Sequence, residues 1–243
     1  AAFAQSAANK NNIFKIGIIG FIAGLAPDLD VFIQSSNDPI LSLEYHRQFS
    51  HSLFFIPIGS LIVALLIFPW VKKAMSFKLV YLVSFLGYAT HGLLDACTSY
   101  GTLLFWPFSY ERITWNNISI VDPIFTIPTL IFVICALMTK RKKFSFFAIG
   151  WILFYLIFGL VQYERTLSAA KDLASSRGHS AERLTLKPSF GNLILWKSIY
   201  KHEENFYVDA IRTVQSSHWC SGESTRAFSY KQHLPKLNKD SQQ

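Results

Sequence analysis

The sequence predicts a mainly α, polytopic membrane protein, a bundle of about five helical spans with a small C-terminal α/β extramembrane segment. Three observations predict it. Hydrophobic residues make up 51% of the 243 residues, and Phe alone occurs 22 times. Charged residues reach only 16%, against ~25% in a soluble domain. The apolar residues are also gathered into runs long enough to cross the ~30 Å hydrocarbon core, which takes about 17 to 25 helical residues.

The first run covers residues 13–33 and is interrupted by Pro27, Asp28 and Asp30. It reads as a broken helix, or as a short one that stops where the carboxylates begin. Clearer spans follow at 51–70, 79–97, 122–138 and 144–161. Lys10 and Lys15 precede the first span, Lys72, Lys73 and Lys78 join the second to the third, and Lys140, Arg141, Lys142 and Lys143 join the fourth to the fifth. The alternate loops, 31–50 and 98–121, hold only Arg47 and Arg112 as basic residues. Because cytoplasmic loops carry the basic excess, the amino terminus is expected in the cytoplasm and these alternate loops outside. Five spans would leave the tail outside too.

The bundle is expected over 1–163 and the extramembrane tail over 164–243. In the tail, a helix at 165–176 gives way at Gly178 to alternating stretches at 184–186, 193–199 and 206–211, which read as a small mixed α/β unit. The end, 234–243, is polar and reads as disordered. The net charge of +8 comes from these short basic clusters, and with no recognition motif beside them a nucleic-acid partner is not expected. Cys97, Cys135 and Cys220 have no metal-ribbon or redox spacing. The chain opens on Ala1 without an initiator Met, so the start is expected upstream. Nothing in the sequence sets an oligomeric state.

Chemistry concentrates in four groups: Asp28-Leu29-Asp30, the stretch from His46 and Arg47 to Ser50 and His51, the stretch from His91 to Asp95, and Asp122-Pro123. At ~1.5 Å per helical residue each lies about 20 to 29 Å from the basic end of its span, so all four reach one depth near the outer face. His91 and Asp95 stand i, i+4, on one helix face, as a chelating pair requires. An extended or turning backbone after Pro27 would aim Asp28 and Asp30 the same way. His46 and His51 are too far round an ideal helix to share a face, which puts His46 in the loop and His51 in a first turn. Taken singly, each group has a plainer reading: a cap for Asp28, Asp30 or Asp122, a solvated imidazole for His46 or His51, an interhelical hydrogen bond for His91 and Asp95. Four such groups at one depth favour a shared metal or proton-handling site. Imidazole with carboxylate suits zinc, iron or manganese better than calcium; zinc is the first choice, as one or two ions. The tail residues His179, His202, His218 and His233 lack partner spacing and are not expected to bind metal.

At these residues the chain resembles a known family. The order Gly24-Leu25-Ala26-Pro27-Asp28-Leu29-Asp30, then His46 to His51, then His91 to Thr102, then Trp115-Asn116 and Asp122-Pro123 looks like the YdjM-type family of membrane-bound metal-dependent hydrolases. More distantly it is similar to zinc-dependent phospholipase C and P1-type nucleases. The resemblance covers about residues 15–130 and implies an inner-membrane metal-dependent hydrolase, with Asp28, Asp30, His46, His51, His91 and Asp95 at the matching positions. Members usually carry a further amino-terminal segment, which this chain enters partway, and the tail matches none of the motifs.

The combined expectation is a hydrolase at the outer face of the bacterial inner membrane acting on a phosphoester or lipid-linked substrate. Asp28, Asp30, His51, His91 and Asp95 would hold metal and activate a water. His46 would be a further ligand or the acid for the leaving group, Asp122 would orient the water, and Arg47 would meet the anionic substrate. Two rival readings remain: an ion- or proton-coupled carrier, which would place ionisable groups through the whole membrane depth, and a non-enzymatic anchor for an interaction domain in the tail.

Overall fold

The structure, a computed structural model, describes residues 1–38, 40–214 and 216–228. Among the described residues seven α-helices and five strands follow one another: α1 (Ala2–Ser6), α2 (Ile13–Leu25), α3 (Leu41–Tyr45), α4 (Phe55–Val71), α5 (Phe77–Ala96), α6 (Pro123–Thr139), α7 (Lys143–Ser176), then β1 (Glu182–Pro188), β2 (Leu195–His202), β3 (Asn205–Thr213), β4 (Ser217–Cys220) and β5 (Ser224–Arg226). Two short 3₁₀ helices, Ala26–Phe32 and Phe49–His51, interrupt the helical series. Two compact units result, one of residues 1–161 with 190–193 and one of residues 162–189 with 194–243.

In the first unit the helix ends are written locally. Ser76 caps α5 by accepting from the Leu79 amide, and Asp122 caps α6 by accepting from the amides of Ile124 and Phe125, with Pro123 in the first turn. Helix α2 stops at Leu25 because Pro27 follows and the backbone tightens into the 3₁₀ turn. The core is made of small and β-branched residues, Ala4, Ile13, Ile16, Ala64, Val80 and Val83 among them. Helices α2 and α5 touch backbone to backbone at Gly87, where a Cβ would stand 2.5 Å from the Gly20 carbonyl oxygen. Such close approach is how helices gain packing where no water drives them together. The opposite faces carry uncovered apolar side chains, as at Phe14, Ile18, Phe21 and Ile22 on α2 and Ile58, Leu61, Leu65 and Leu66 on α4, the pattern of helices that meet lipid.

The expectation of about five spans is corrected. Among the described residues only α5 and α7, of 20 and 34 residues, are long and apolar enough to cross a membrane. Helices α4 and α6 have 17 residues each, at the lower limit of the spanning range, and α2 has 13, or ~26 Å and ~20 Å of rise against the ~30 Å core. Apolar runs overstated helix length because their ends fold into turns: His51 to Phe54 belong to the 3₁₀ helix and the turn after it, and residues 26–32 form the other 3₁₀ helix.

The tail is corrected as well. It is a substantial antiparallel sheet, β1-β2-β3-β4 with β5 also paired to β3. Trp196, Ser198 and Tyr200 are buried at every second position of β2, as a half-covered strand requires. Leu186 and Ile211, also fully buried, stand opposite Ser198 and Trp196 in the register. Arg177 fastens it, with two nitrogens 2.8 Å from the two oxygens of buried Asp209. The helix expected at 165–176 is the last part of α7. The end expected to be disordered, 234–243, and His233 lie outside the described residues.

Candidate metal centre

Four segments deliver the site. Asp28 and Asp30 come from the first 3₁₀ helix, His46 and Arg47 from the turn after α3, Ser50 and His51 from the second 3₁₀ helix, and His91 and Asp95 from the last turns of α5. The i, i+4 pair meets as a helix dictates, His91 Nε2 lying 3.3 Å from Asp95 Oδ2. Gly92 lets His51 approach: a Cβ there would stand 2.4 Å from the His51 carbonyl oxygen, so any side chain would push the second 3₁₀ helix off α5.

One donor atom each from Asp28, His51, His91 and Asp95 lies within 4.8 Å of all the others. Four of the separations are 3.2 Å (His91 Nε2 to Asp28 Oδ1), 3.5 Å (His51 Nε2 to Asp28 Oδ1), 3.2 Å (His51 Nε2 to Asp95 Oδ2) and 3.3 Å (His91 Nε2 to Asp95 Oδ2). A tetrahedral ion with bonds of ~2.0–2.2 Å has ligand-to-ligand edges of about 3.3–3.6 Å, so the donor set fits a divalent ion. A second observation agrees. Buried His51 Nε2 and Asp95 Oδ2 face each other yet have no hydrogen-bond partner, an arrangement costly without a common cation between them.

Asp30 stands one layer behind. Its Oδ1 is 2.8 Å from His46 Nδ1, and its Oδ2 accepts from the Arg47 amide at 2.9 Å and from the Ser50 hydroxyl at 2.6 Å, with His51 Nδ1 3.3 Å away. Ser50 spends its proton on Asp30, so toward His51 Nδ1, at 3.0 Å, it can only accept. Both neighbours of Nδ1 are therefore acceptors, which keeps the ring proton there and turns the Nε2 lone pair to the cluster. The backbone after Pro27 is thus a 3₁₀ turn, and the expectation that Asp28 and Asp30 aim the same way is corrected: at 3.0 residues per turn two residues on are about 120° apart.

Charge follows geometry. The imidazoles of His51 and His91, 3.5 Å and 3.2 Å from Oδ1, hold the Asp28 carboxyl well below the usual carboxylate range. Burial would raise Asp30, but its hydrogen bonds from His51, Ser50, His46 and the Arg47 amide carry it below that range. Burial opposes charge on His51, yet the Asp28, Asp30 and Asp95 carboxylates raise it to about 10. The cluster is built for positive charge at its centre.

Arg47 sits in the left-handed region at φ 62°, an uncommon conformation for a side chain of this size. The amide bond to Asp30 fixes it, and its carbonyl accepts from the Leu103 amide and the Thr102 hydroxyl. Its Nε comes within 3.3 Å of Asp95 Oδ2 without hydrogen-bond alignment, and the guanidinium covers the Tyr100 ring at 4.8 Å. Asp122 has no hydrogen bond or ion pair to the cluster among the described residues; one oxygen caps α6 and the other accepts from the Tyr155 hydroxyl at 2.7 Å. Sequence reasoning passed over Ser50, Tyr100 and Arg112, the last donating to the His46 carbonyl. Ser50 carried a signal in its place beside His51, and Tyr100 in the stretch from His91 to Thr102. In the tail, the His179 and His202 rings stack at 4.3 Å, and no tail histidine joins a metal-sized group among the described residues.

Residues 1–166 match the model of the family described as YdjM inner membrane protein. No curated protein and no solved structure matches the chain.

Proposed function

Since that match covers more than half of its length, the chain belongs to the YdjM family of inner membrane proteins, and we propose that it is a membrane-bound metal-dependent hydrolase of phosphoester or lipid-linked substrates. The observation that carries the reading is the set of 3.2–3.5 Å separations among donor atoms of Asp28, His51, His91 and Asp95, four distances of the size that a tetrahedral divalent ion sets between its ligands. Nitrogen with carboxylate donors suits zinc first, then iron or manganese. A bound ion supplies Lewis-acid polarisation and water activation.

The chain's own residues do the rest. Asp30 and Ser50 hold the proton of His51 on Nδ1. Asp28 is the outermost ligand, its side chain 44% exposed against 0–18% for the other three, so substrate arrives from its side. Arg47 meets the anionic group. His46, with Nδ1 on Asp30 and a side chain 28% exposed, is the proton-transfer group for the leaving oxygen. Asp122 enters as a structural residue, both of its oxygens being engaged. A cavity of about 270 Å³, lined by Leu29, Ile33, Phe49, Ile62 and Leu66 with Asp30 and Ser50 also on its wall, supports an apolar portion in the substrate. Lys72, Lys73 and Lys78 surround the amino end of α5 while His91 and Asp95 stand at its other end; by the positive-inside rule this supports a site on the outer face.

The test is bound metal by inductively coupled plasma mass spectrometry on protein purified in detergent, beside His91→Ala/Asp95→Ala, followed by phosphate release from phospholipid and polyprenyl phosphate substrates. Near-stoichiometric metal lost in the variant, with hydrolysis lost beside it, is expected. A wild-type protein that takes up no ion after reconstitution would remove the hydrolase reading and put the carrier ahead.

A further inference from the structure

Away from the metal centre, two distant parts of the sequence bring five cations to one cavity of about 530 Å³. Lys10 comes from the loop between α1 and α2, Lys140, Arg141 and Lys142 come from the turn between α6 and α7, and Lys143 opens α7, with Ala8 and Asn9 completing the wall. Both walls are set by the fold. Asn9 Oδ1 accepts from the amides of Asn11 and Asn12 while Asn12 Oδ1 accepts from the Asn9 amide, a reciprocal clasp around Lys10. Gln5 ties α1 to the other wall, donating to the Val133 carbonyl at 3.4 Å and accepting from the Ser145 hydroxyl at 3.3 Å. Lys140 holds the turn with a left-handed φ of 55°.

Among the described residues no carboxylate neutralises this charge. Residues 1–27 and 123–163 contain no Asp or Glu, and among the described residues none of the five cations forms an ion pair. Crowding like charges on fixed walls is unfavourable, and an anion from outside relieves it. The cavity lies where α7, a candidate span, begins at Lys143, which is the level of lipid headgroups. Basic pockets at that level bind anionic headgroup phosphates.

We propose that the pocket formed by Lys10 and the basic turn at residues 140–143 binds the phosphate of an anionic lipid headgroup. The chemistry is many-centred: ammonium groups and one guanidinium around a phosphate, the guanidinium able to take two oxygens at once. Binding is independent of the ion at the metal centre.

The test is native mass spectrometry of the full chain in neutral detergent, titrated with phosphatidylglycerol, with phosphatidylcholine, and with inorganic phosphate as competitor. Each cation near a headgroup contributes about fivefold in affinity, so Lys10→Gln is expected to weaken phosphatidylglycerol about fivefold. Adding Lys140→Gln, Arg141→Gln and Lys143→Gln is expected to abolish the preference over phosphatidylcholine. Lys72→Gln/Lys73→Gln/Lys78→Gln removes similar charge from another basic loop and is expected to change affinity less than twofold. Lys10→Gln lies outside the basic turn and decides the matter should the multiple variant not fold. Unchanged affinity in Lys10→Gln, an equal loss in the Lys72/Lys73/Lys78 variant, or displacement of lipid by equimolar inorganic phosphate would each overturn the proposal, the last in favour of a soluble-anion site.

Discussion

Replacing Asp30 by Asn separates a carboxylate that orients a ligand from one that is a ligand. Asp30 takes four donors on two oxygens, and Asn keeps the shape while losing the charge and one acceptor. The amide oxygen is expected to take the place of Oδ2, where the Arg47 amide, the Ser50 hydroxyl and His51 Nδ1 converge, which leaves the amide nitrogen facing His46. His51 then still has an acceptor at Nδ1, but a neutral one that raises the basicity of Nε2 less. Loss of such an outer partner costs about 10- to 100-fold in metal affinity, about 1.4–2.7 kcal/mol. With the acceptor retained, Asp30→Asn is expected near tenfold and Asp30→Ala near a hundredfold. Zinc affinity would be read by competition with a chromogenic chelator in detergent, with circular dichroism as the control for folding. Affinity of Asp30→Asn within twofold of wild type would refute the orienting role. A loss as complete as in His91→Ala/Asp95→Ala would make Asp30 a direct ligand.

Gly92→Ala puts a Cβ 2.4 Å from the His51 carbonyl oxygen and is expected to cost about 1–3 kcal/mol and to lower metal occupancy; Gly150→Ala, with nothing within 4 Å, is expected to raise thermal stability slightly, and unfolding curves in detergent compare the two. His51 is raised to about 10 from the ~6.5 of an unfolded chain, so in metal-free protein its contribution to stability is complete below about pH 6.5 and is lost as pH rises toward 10; a metal-free protein whose unfolding midpoint does not fall across that window speaks against the charge reading. Asp209→Ala leaves Arg177, whose side chain is 22% exposed, without its carboxylate partner though still bonded to the Tyr200 and Ser221 hydroxyls, and an expected loss of about 1–3 kcal/mol, discounted for that exposure, would appear as faster limited proteolysis of the sheet.

How far the sequence could be read differs from one feature to the next. The i, i+4 pair of His91 and Asp95 was legible because a helix repeats every 3.6 residues whatever surrounds it, and Asp122 before Pro123 is the helix cap that its plainer reading supposed. Family membership was legible because the Asp28-Leu29-Asp30 and His46-to-His51 signatures are short and ordered. Span number was not, because hydropathy counts apolar residues and cannot tell the body of a helix from the turn that ends it: Leu53 and Phe54 are as apolar as Ile56 and lie in the turn before α4. The five-strand sheet was underestimated because its strands are only half covered and their alternation is diluted by lysines such as Lys187, Lys197 and Lys201.

Composition, the basic clusters and the order of the Asp and His signatures are local properties, and the sequence by itself determined from them an inner-membrane family and the residues rich in ligand chemistry. Which atoms meet was decided only by the tertiary structure. The 3₁₀ turn after Pro27 sends Asp28 to the imidazoles and Asp30 behind them, Gly92 admits His51 against α5, and Gln5 links α1 to Ser145 in the first turn of α7. Those contacts depend on backbone angles and on distances between segments up to 140 residues apart, and no short-range pattern encodes them.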